Sequence, residues 1–244
     1  MTSQCSTVLG VLILNCSNHK QETYWPEDHQ PWKNPVFAKS RLKLWGKPTD
    51  PPKKWNKSKY QRLSRIPDLI MGDSVLDVGC GCGHLYALLK DRISTYTGLD
   101  FKSMVDICRE FFPNADWQEG NVYDLSGFGV YDTVVAIQLF IHLPDLIRPL
   151  RQCWGHASKS LLLTLRCIDV KSSISVNEKS GSLSHRYSGE ELASVINLLR
   201  NVGSVEVYLG RFKGRIMYIK LIREQGTHTR ITPDLFNPEK IKMI

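Results

Sequence analysis

Residues 74–90, SVLDVGCGCGHLYALLK, constrain the fold more than any other stretch. Strand-like residues Ser74 to Val78 run into glycines at 79, 81 and 83, and then into the apolar-periodic HLYALLK. A strand that turns so abruptly into a helix is the first half of a βαβ unit, and such units build parallel sheets covered by helices. Alternating glycines suit a tight turn whose backbone approaches a ligand closely. An aspartate, Asp77, stands two residues ahead of the first glycine.

The alternation continues downstream. TYTGLD reads as a strand, SMVDICREFF as a helix, DWQEGNV as a short strand and YDTVVAIQLF as a buried strand. PDLIRPLRQCWGHA reads as a helix interrupted by Pro149, and SLLLTLRCI as a fifth strand. A polar loop over 169–187 precedes the helix SGEELASVINLLRNV. Two strands, SVEVYLGRF and RIMYIKLIRE, close an antiparallel hairpin across the Lys213–Gly214 turn. Upstream, KYQRLSRIPDLI reads as a helix ending near Pro67. Three segments follow: an N-terminal arm over 1–58, an α/β domain over 59–224 and a polar tail over 225–244. The arm, rich in Pro, Trp and Lys, is expected to be irregular, with a short helix near Phe37 to Leu44.

The 42% hydrophobic and 23% charged content belongs to an ordinary globular chain rather than a disordered or membrane-spanning one. The seven apolar residues VLGVLIL, Val8 to Leu14, are too short to cross a bilayer and lack a preceding Lys or Arg, so they read as a short strand or a packed segment. Seven scattered cysteines form no disulfide framework and fit a reducing cytoplasm. Cys80 and Cys82 lack zinc spacing, so no metal is expected. The net charge of +8 attracts anions in general and does not single out RNA.

The glycine turn departs from the dinucleotide pattern G-x-G-x-x-G, because His84 stands where the third glycine or alanine would be. Beside a pyrophosphate the Asp77 carboxylate would repel its ligand; beside an ammonium or sulfonium group it attracts. A ligand that is nucleoside at one end and cationic at the other fits, and S-adenosylmethionine is that molecule. Asp100 ends the next strand, 19 residues after Gly81, where an acid can accept both ribose hydroxyls, as it would equally from a nicotinamide cofactor. Phe101 follows it. Asn121 and Val122 lie after the third strand, placed to read an adenine edge, and Gln138 ends the fourth. Gly79, Gly81 and Gly83 complete the expected cofactor set.

These motifs resemble the class I S-adenosylmethionine-dependent methyltransferase family over about Lys59 to Glu224. VLDVGCGCGHL resembles its first motif, GLD its second-strand acid and GNVYDL its G-D-A-x-D-L segment, with Asn121 where Asp is commoner. YDTVVAIQLFIHLPD resembles the fourth-strand motif, and YSGEELASVINLL the late helix. WGHASKS departs from the usual L-x-P-G-G before the fifth strand. The resemblance implies a three-layer sandwich, Rossmann-like, with a mostly parallel seven-stranded sheet ending in an antiparallel hairpin. It also implies methyl transfer by in-line displacement.

It fixes the acceptor much less than the cofactor. A small molecule is expected, with transfer to an O or N nucleophile. An RNA base, in tRNA above all, is the alternative, and the Trp and Lys residues of the arm (Trp25, Trp32, Trp45, Trp55) would suit it by stacking on bases and meeting phosphates. The same tryptophans equally suit an arm anchored over the site as a lid. His142, just past the fourth strand, and His185 and Tyr187, on the polar loop, are the candidate catalytic groups. Each has a structural reading as well, and a base is needed only if the acceptor must lose a proton. A nicotinamide-dependent oxidoreductase and a non-catalytic cofactor-binding module are the readings of another class. The sequence fixes neither the acceptor atom nor the oligomeric state.

Overall fold

The computed structural model describes residues 30–166, 171–177, 181–210 and 216–244. The expected segment at Val8–Leu14, Trp25 and the Lys213–Gly214 turn lie outside them.

Strand β1 (Ser74–Val78) is the axis of the sheet, pairing in parallel with β2 (Thr95–Asp100) on one side and β4 (Tyr131–Ile137) on the other. β3 (Asp116–Glu119) extends the sheet beyond β2, and β5 (Ala157–Arg166) lies beside β4, both in parallel. Of the hairpin strands, β8 (Val202–Leu209) and β9 (Ile216–Arg223), the later one inserts between β5 and β8 and runs antiparallel to both. The tail contributes a two-residue edge strand, β10 (Lys242–Met243), parallel to β8, so the sheet has eight strands in the order β10-β8-β9-β5-β4-β1-β2-β3. The seven expected strands are all present, in the mostly parallel arrangement expected of them.

Alternate side chains of the central strands serve opposite faces. Leu76 and Val78 of β1 and Leu161, Leu163 and Leu165 of β5 join one core, with α7 (Ile147–Gly155) and α8 (Gly189–Ile196). Val75 and Leu162 join the other, with α5 (His84–Leu89), α6 (Lys102–Phe111) and the segment before β1. Burial on both faces explains why these strands read as continuous apolar runs.

Several element boundaries differ from the sequence reading, each for a local reason. The helix read over 59–70 is two: α3 (Lys57–Leu63), capped by the Asn56 side chain, and α4 (Ile66–Leu69). Pro67 sits in the first turn of α4, where its missing N–H costs nothing, so it begins a helix rather than ending one. Pro149 likewise falls in the first turn of α7 and interrupts nothing. The loop over 169–187 holds a hairpin, β6 (Ser173–Val176) paired with β7 (Leu183–Arg186). The arm is more regular than expected: α1 (Gln30–Lys33) leads into α2 (Pro35–Trp45), where Asn34 Oδ1 accepts from Val36 N at 2.8 Å and Pro35 opens the helix.

Arm and tail pack on the domain. Trp55 and Ala38 are buried, as are Ile231 and Phe236. Among the described residues no helix is long and apolar enough to cross a membrane.

Candidate active site

The strands that contribute to the site, β1, β2, β4 and β5, do so at their carboxyl ends, as expected for an open α/β fold. After Val78 the chain makes a turn that only glycine adopts without strain, with φ +78° at Gly79 and +59° at Gly81. The turn is tied to β2: Gly79 N and Cys80 N both donate to Leu99 O, at 2.8 and 3.0 Å. Gly81 N donates to Asp100 Oδ2 at 2.8 Å, and Phe101 N donates to Asp100 Oδ1 at 2.7 Å. A Cβ on Gly79 would meet Leu139 at 3.1 Å, and one on Gly81 would meet the Trp45 ring at 3.4 Å, so the turn is a closely covered cradle. Gly83 starts α5 and lies against Trp117 rather than facing open space.

A cavity of about 500 Å³ opens over this turn, within the range of small-molecule sites. Of the residues singled out in the sequence, Gly79, Gly81, Asp100, Phe101, Asn121, Val122, Gln138 and His142 line it. Asn121 also shapes its own loop, since its Oδ1 accepts from Tyr123 N at 3.1 Å. Gln138 is a non-glycine residue at φ +59°, a strained conformation held in place by Thr164, whose Oγ1 accepts from Gln138 N at 2.8 Å and from Nε2 at 3.1 Å.

Asp77 lies one residue behind the wall that Val78 forms. It is 2% exposed and accepts from Tyr96 Oη at 2.6 Å. Burial pushes its carboxyl up to about 7, against the opposing pull of the Tyr96 hydroxyl and of Lys59. Burial raises Asp100 to about 6, moderated by its two backbone donors. Two acids that resist ionisation thus stand under one cavity, and a cationic group there would favour their charged forms.

His185 and Tyr187 sit away from the cavity, in the support behind it. Tyr187 Oη donates to Phe140 O at 2.7 Å, and His185 Nδ1 bonds Leu143 O at 3.1 Å; both side chains are buried. They brace the segment after β4. His142 does reach the cavity, and its Nδ1 donates to Leu183 O at 2.7 Å, the tautomer in which Nε2 is the basic nitrogen. His84 opens α5 wholly buried, its Nε2 bonded to Gly46 O at 3.0 Å, and burial lowers it to about 3.

Sequence reasoning missed the cations of the upper walls: Lys59 and Arg62 on α3, Arg41 on α2 and Arg166 at the end of β5 line the cavity. Trp45 on α2 and Trp32 on α1, two of the arm tryptophans read as a possible lid, line it too. Ser103 Oγ holds the arm by donating to Trp32 O, and the Trp32 ring rests 4.8 Å from His142. Gly181, two residues before β7, faces the arm: a Cβ there would meet Pro31 at 3.6 Å. Among the described residues no cluster of three or more His, Cys, Asp or Glu could hold a metal ion.

A central β1 flanked by β2 and β4, a late antiparallel insertion beside β5 and a glycine cradle over an acid at the end of β2 define the class I methyltransferase fold. Residues 75–159 match the family model described as "Methyltransferase domain". A curated relative is the ubiquinone biosynthesis O-methyltransferase of Vibrio parahaemolyticus serotype O3:K6, 31% identical over 93 residues, which are 35% of this chain and 40% of that protein. The chain therefore spans well under half the length of that relative. The magnesium-protoporphyrin O-methyltransferase of Rhodobacter capsulatus is 25% identical over 162 residues, covering 57% of this chain and 72% of that protein. Among solved structures, the magnesium protoporphyrin IX methyltransferase of Synechocystis PCC 6803, with bound SAH, superposes with a TM-score of 0.59 at 15% identity, over 80% of this chain and 98% of that one.

Proposed function

We propose that this chain is an S-adenosylmethionine-dependent methyltransferase acting on an oxygen or nitrogen nucleophile of a small molecule. The observation that carries the reading is the cradle: two cavity-lining glycines in left-handed conformations, with Asp100 fastened beneath them at the end of β2. The donor set fits the cofactor. Gly79 and Gly81 let the backbone lie against a ligand, and Asp100, which forms no ion pair among the described residues, can accept ribose hydroxyls. Asn121 and Val122 border the far end, where an adenine edge would lie. When bound, the cofactor supplies an electrophilic methyl group on a sulfonium centre.

The chain's own residues then orient the acceptor and exclude water. Trp32 and Phe37 roof the cavity, and alignment in a dry pocket supplies much of the rate for such a displacement. His142 is the candidate base that reaches the cavity, suited to an acceptor hydroxyl that must lose a proton. The two relatives named as O-methyltransferases favour oxygen as the nucleophile. A roofed cavity of this size favours a small molecule over RNA. Cys80, Cys82, Cys108 and Cys153 are free buried thiols, which fits the reducing cytoplasm.

Calorimetric titration with S-adenosylmethionine and S-adenosylhomocysteine tests the reading. Micromolar binding is expected, weakened at least tenfold, about 1.4 kcal/mol, by Gly79→Val. No binding of either compound by the folded protein would overturn it.

A further inference from the structure

Four cationic side chains line the cavity: Arg41, Lys59, Arg62 and Arg166. The one carboxylate among the lining residues is Asp100, whose two oxygens are each taken by a backbone N–H. Among the described residues none of the four forms an ion pair within 4 Å, although Lys59 feels the charge of the buried Asp77 and acts on Asp100. Such a surplus of one sign in a partly dry cavity is unfavourable by itself and attractive to an anion.

Two of the four are placed with care. Arg62 donates through Nε to Ser58 O at 3.0 Å and through Nη2 to Ser58 Oγ, and its Nη1 lies 3.5 Å from Gln138 Oε1. Its backbone is tied to β9 through Tyr218 Oη, which donates to Arg62 O at 3.1 Å. Gln138, the strained residue braced by Thr164, thus also steadies this guanidinium. Arg166 lies two residues beyond Thr164 and donates to Ser184 Oγ at 3.4 Å. Burial and then the charge of Arg166 hold the Arg62 guanidinium below its ordinary value, so the two groups feel each other across the cavity. Like charges that feel each other, neither of them in an ion pair among the described residues, suit a shared anionic partner. The apolar remainder of the wall comes from Trp32, Phe37, Leu139 and Ile141.

We infer that the acceptor is a small apolar molecule bearing an anionic group, carboxylate or phosphate, which Arg62 and Arg166 hold together. The inference rests on the methyltransferase reading and deepens it. The cofactor does not use up the surplus, because its amino-acid portion brings one carboxylate together with its own ammonium.

Matched probes test the assignment on the protein saturated with S-adenosylhomocysteine. Benzoate against benzamide, and indole-3-acetate against indole-3-acetamide, are titrated calorimetrically, with phenyl phosphate added to rank the two anion chemistries. At least one acid is expected to bind tenfold or more tightly than its amide. Arg166→Gln, at an exposed position, and Arg62→Gln should each reduce that preference at least fivefold while S-adenosylhomocysteine affinity moves less than twofold. Equal binding of acid and amide, binding of neither member of any pair, or a loss that falls on S-adenosylhomocysteine instead would each overturn the inference. If S-adenosylhomocysteine does not bind at all, the methyltransferase reading fails. The same pairs titrated on the unliganded protein then decide the anion site by itself.

Discussion

Lowering the pH should weaken cofactor binding by an amount the structure specifies. In the free protein burial lifts Asp100 to about 6, although Gly81 N and Phe101 N both donate to it. Ribose hydroxyls need the carboxylate as an acceptor, so binding draws on the ionised fraction alone. That fraction is about nine-tenths at pH 7 and about one-tenth at pH 5, so affinity should fall about tenfold between them, about 1.4 kcal/mol. Asp77, raised to about 7 and coupled to Asp100, steepens the fall if the sulfonium favours its ionisation too. The assay is calorimetric titration of S-adenosylmethionine across this range, repeated in two buffers of different ionisation enthalpy to count the protons released. Asp100→Asn should bind more weakly at pH 7 and lose most of the slope.

The unliganded fold responds in the opposite sense. An acid whose folded pKa lies above its unfolded value of 3.8 keeps extra protons in the fold, so its contribution to stability is fullest below 3.8 and declines as pH rises through about 6. Cofactor affinity that stays constant from pH 7 to pH 5, with no proton release, would refute the placement of Asp100 as a ribose acceptor.

Gly98→Ala should destabilise the fold by about 1–3 kcal/mol, read as a lowered denaturant midpoint, because its Cβ would overlap the buried Trp117 ring, which is packed by Tyr86, Tyr96 and Phe112. Tyr96→Phe leaves Asp77 buried without its hydroxyl partner, a loss of about 1–3 kcal/mol at pH 8 that should shrink toward pH 5 as Asp77 takes a proton; a deficit independent of pH would count against it. Tyr187→Phe should cost about 1 kcal/mol in unfolding experiments by removing the bond to Phe140 O, and a wild-type midpoint would show that this bond braces nothing.

The sheet and the cradle were legible because local signals agreed with the tertiary outcome. Doubly buried strands are apolar throughout, and glycines at 79 and 81 mark a turn that other residues cannot make without strain. The walls were harder to read. Arg62 and Lys59 sit on a helix whose amphipathic pattern does not say which charged residue tips inward, since that depends on where α3 docks. The signal for α2 was present in Asn34-Pro35, a cap followed by a proline at the first helical position, but prolines and lysines around it suggested irregular chain. Arg166 was open to the rule that found Asp100 and Gln138, being at the carboxyl end of its strand. The β6–β7 hairpin was missed because four-residue polar strands carry little periodicity. His185 and Tyr187 lie near the site in sequence terms, yet Tyr187 Oη and His185 Nδ1 are spent on backbone carbonyls and His185 Nε2 faces Glu191.

The cradle from Gly79 to Val122 falls inside the matched methyltransferase segment, 75–159, whereas Arg41, Lys59, Arg62 and Arg166 all fall outside it. Heredity can therefore treat the two halves of the cavity separately. On the function proposed above, substitutions in the flanking segments would change the half of the cavity assigned to the acceptor without touching the contiguous run assigned to the methyl donor. A chimaera that keeps 75–159 and exchanges its flanks should retain the donor and change its taste in partners.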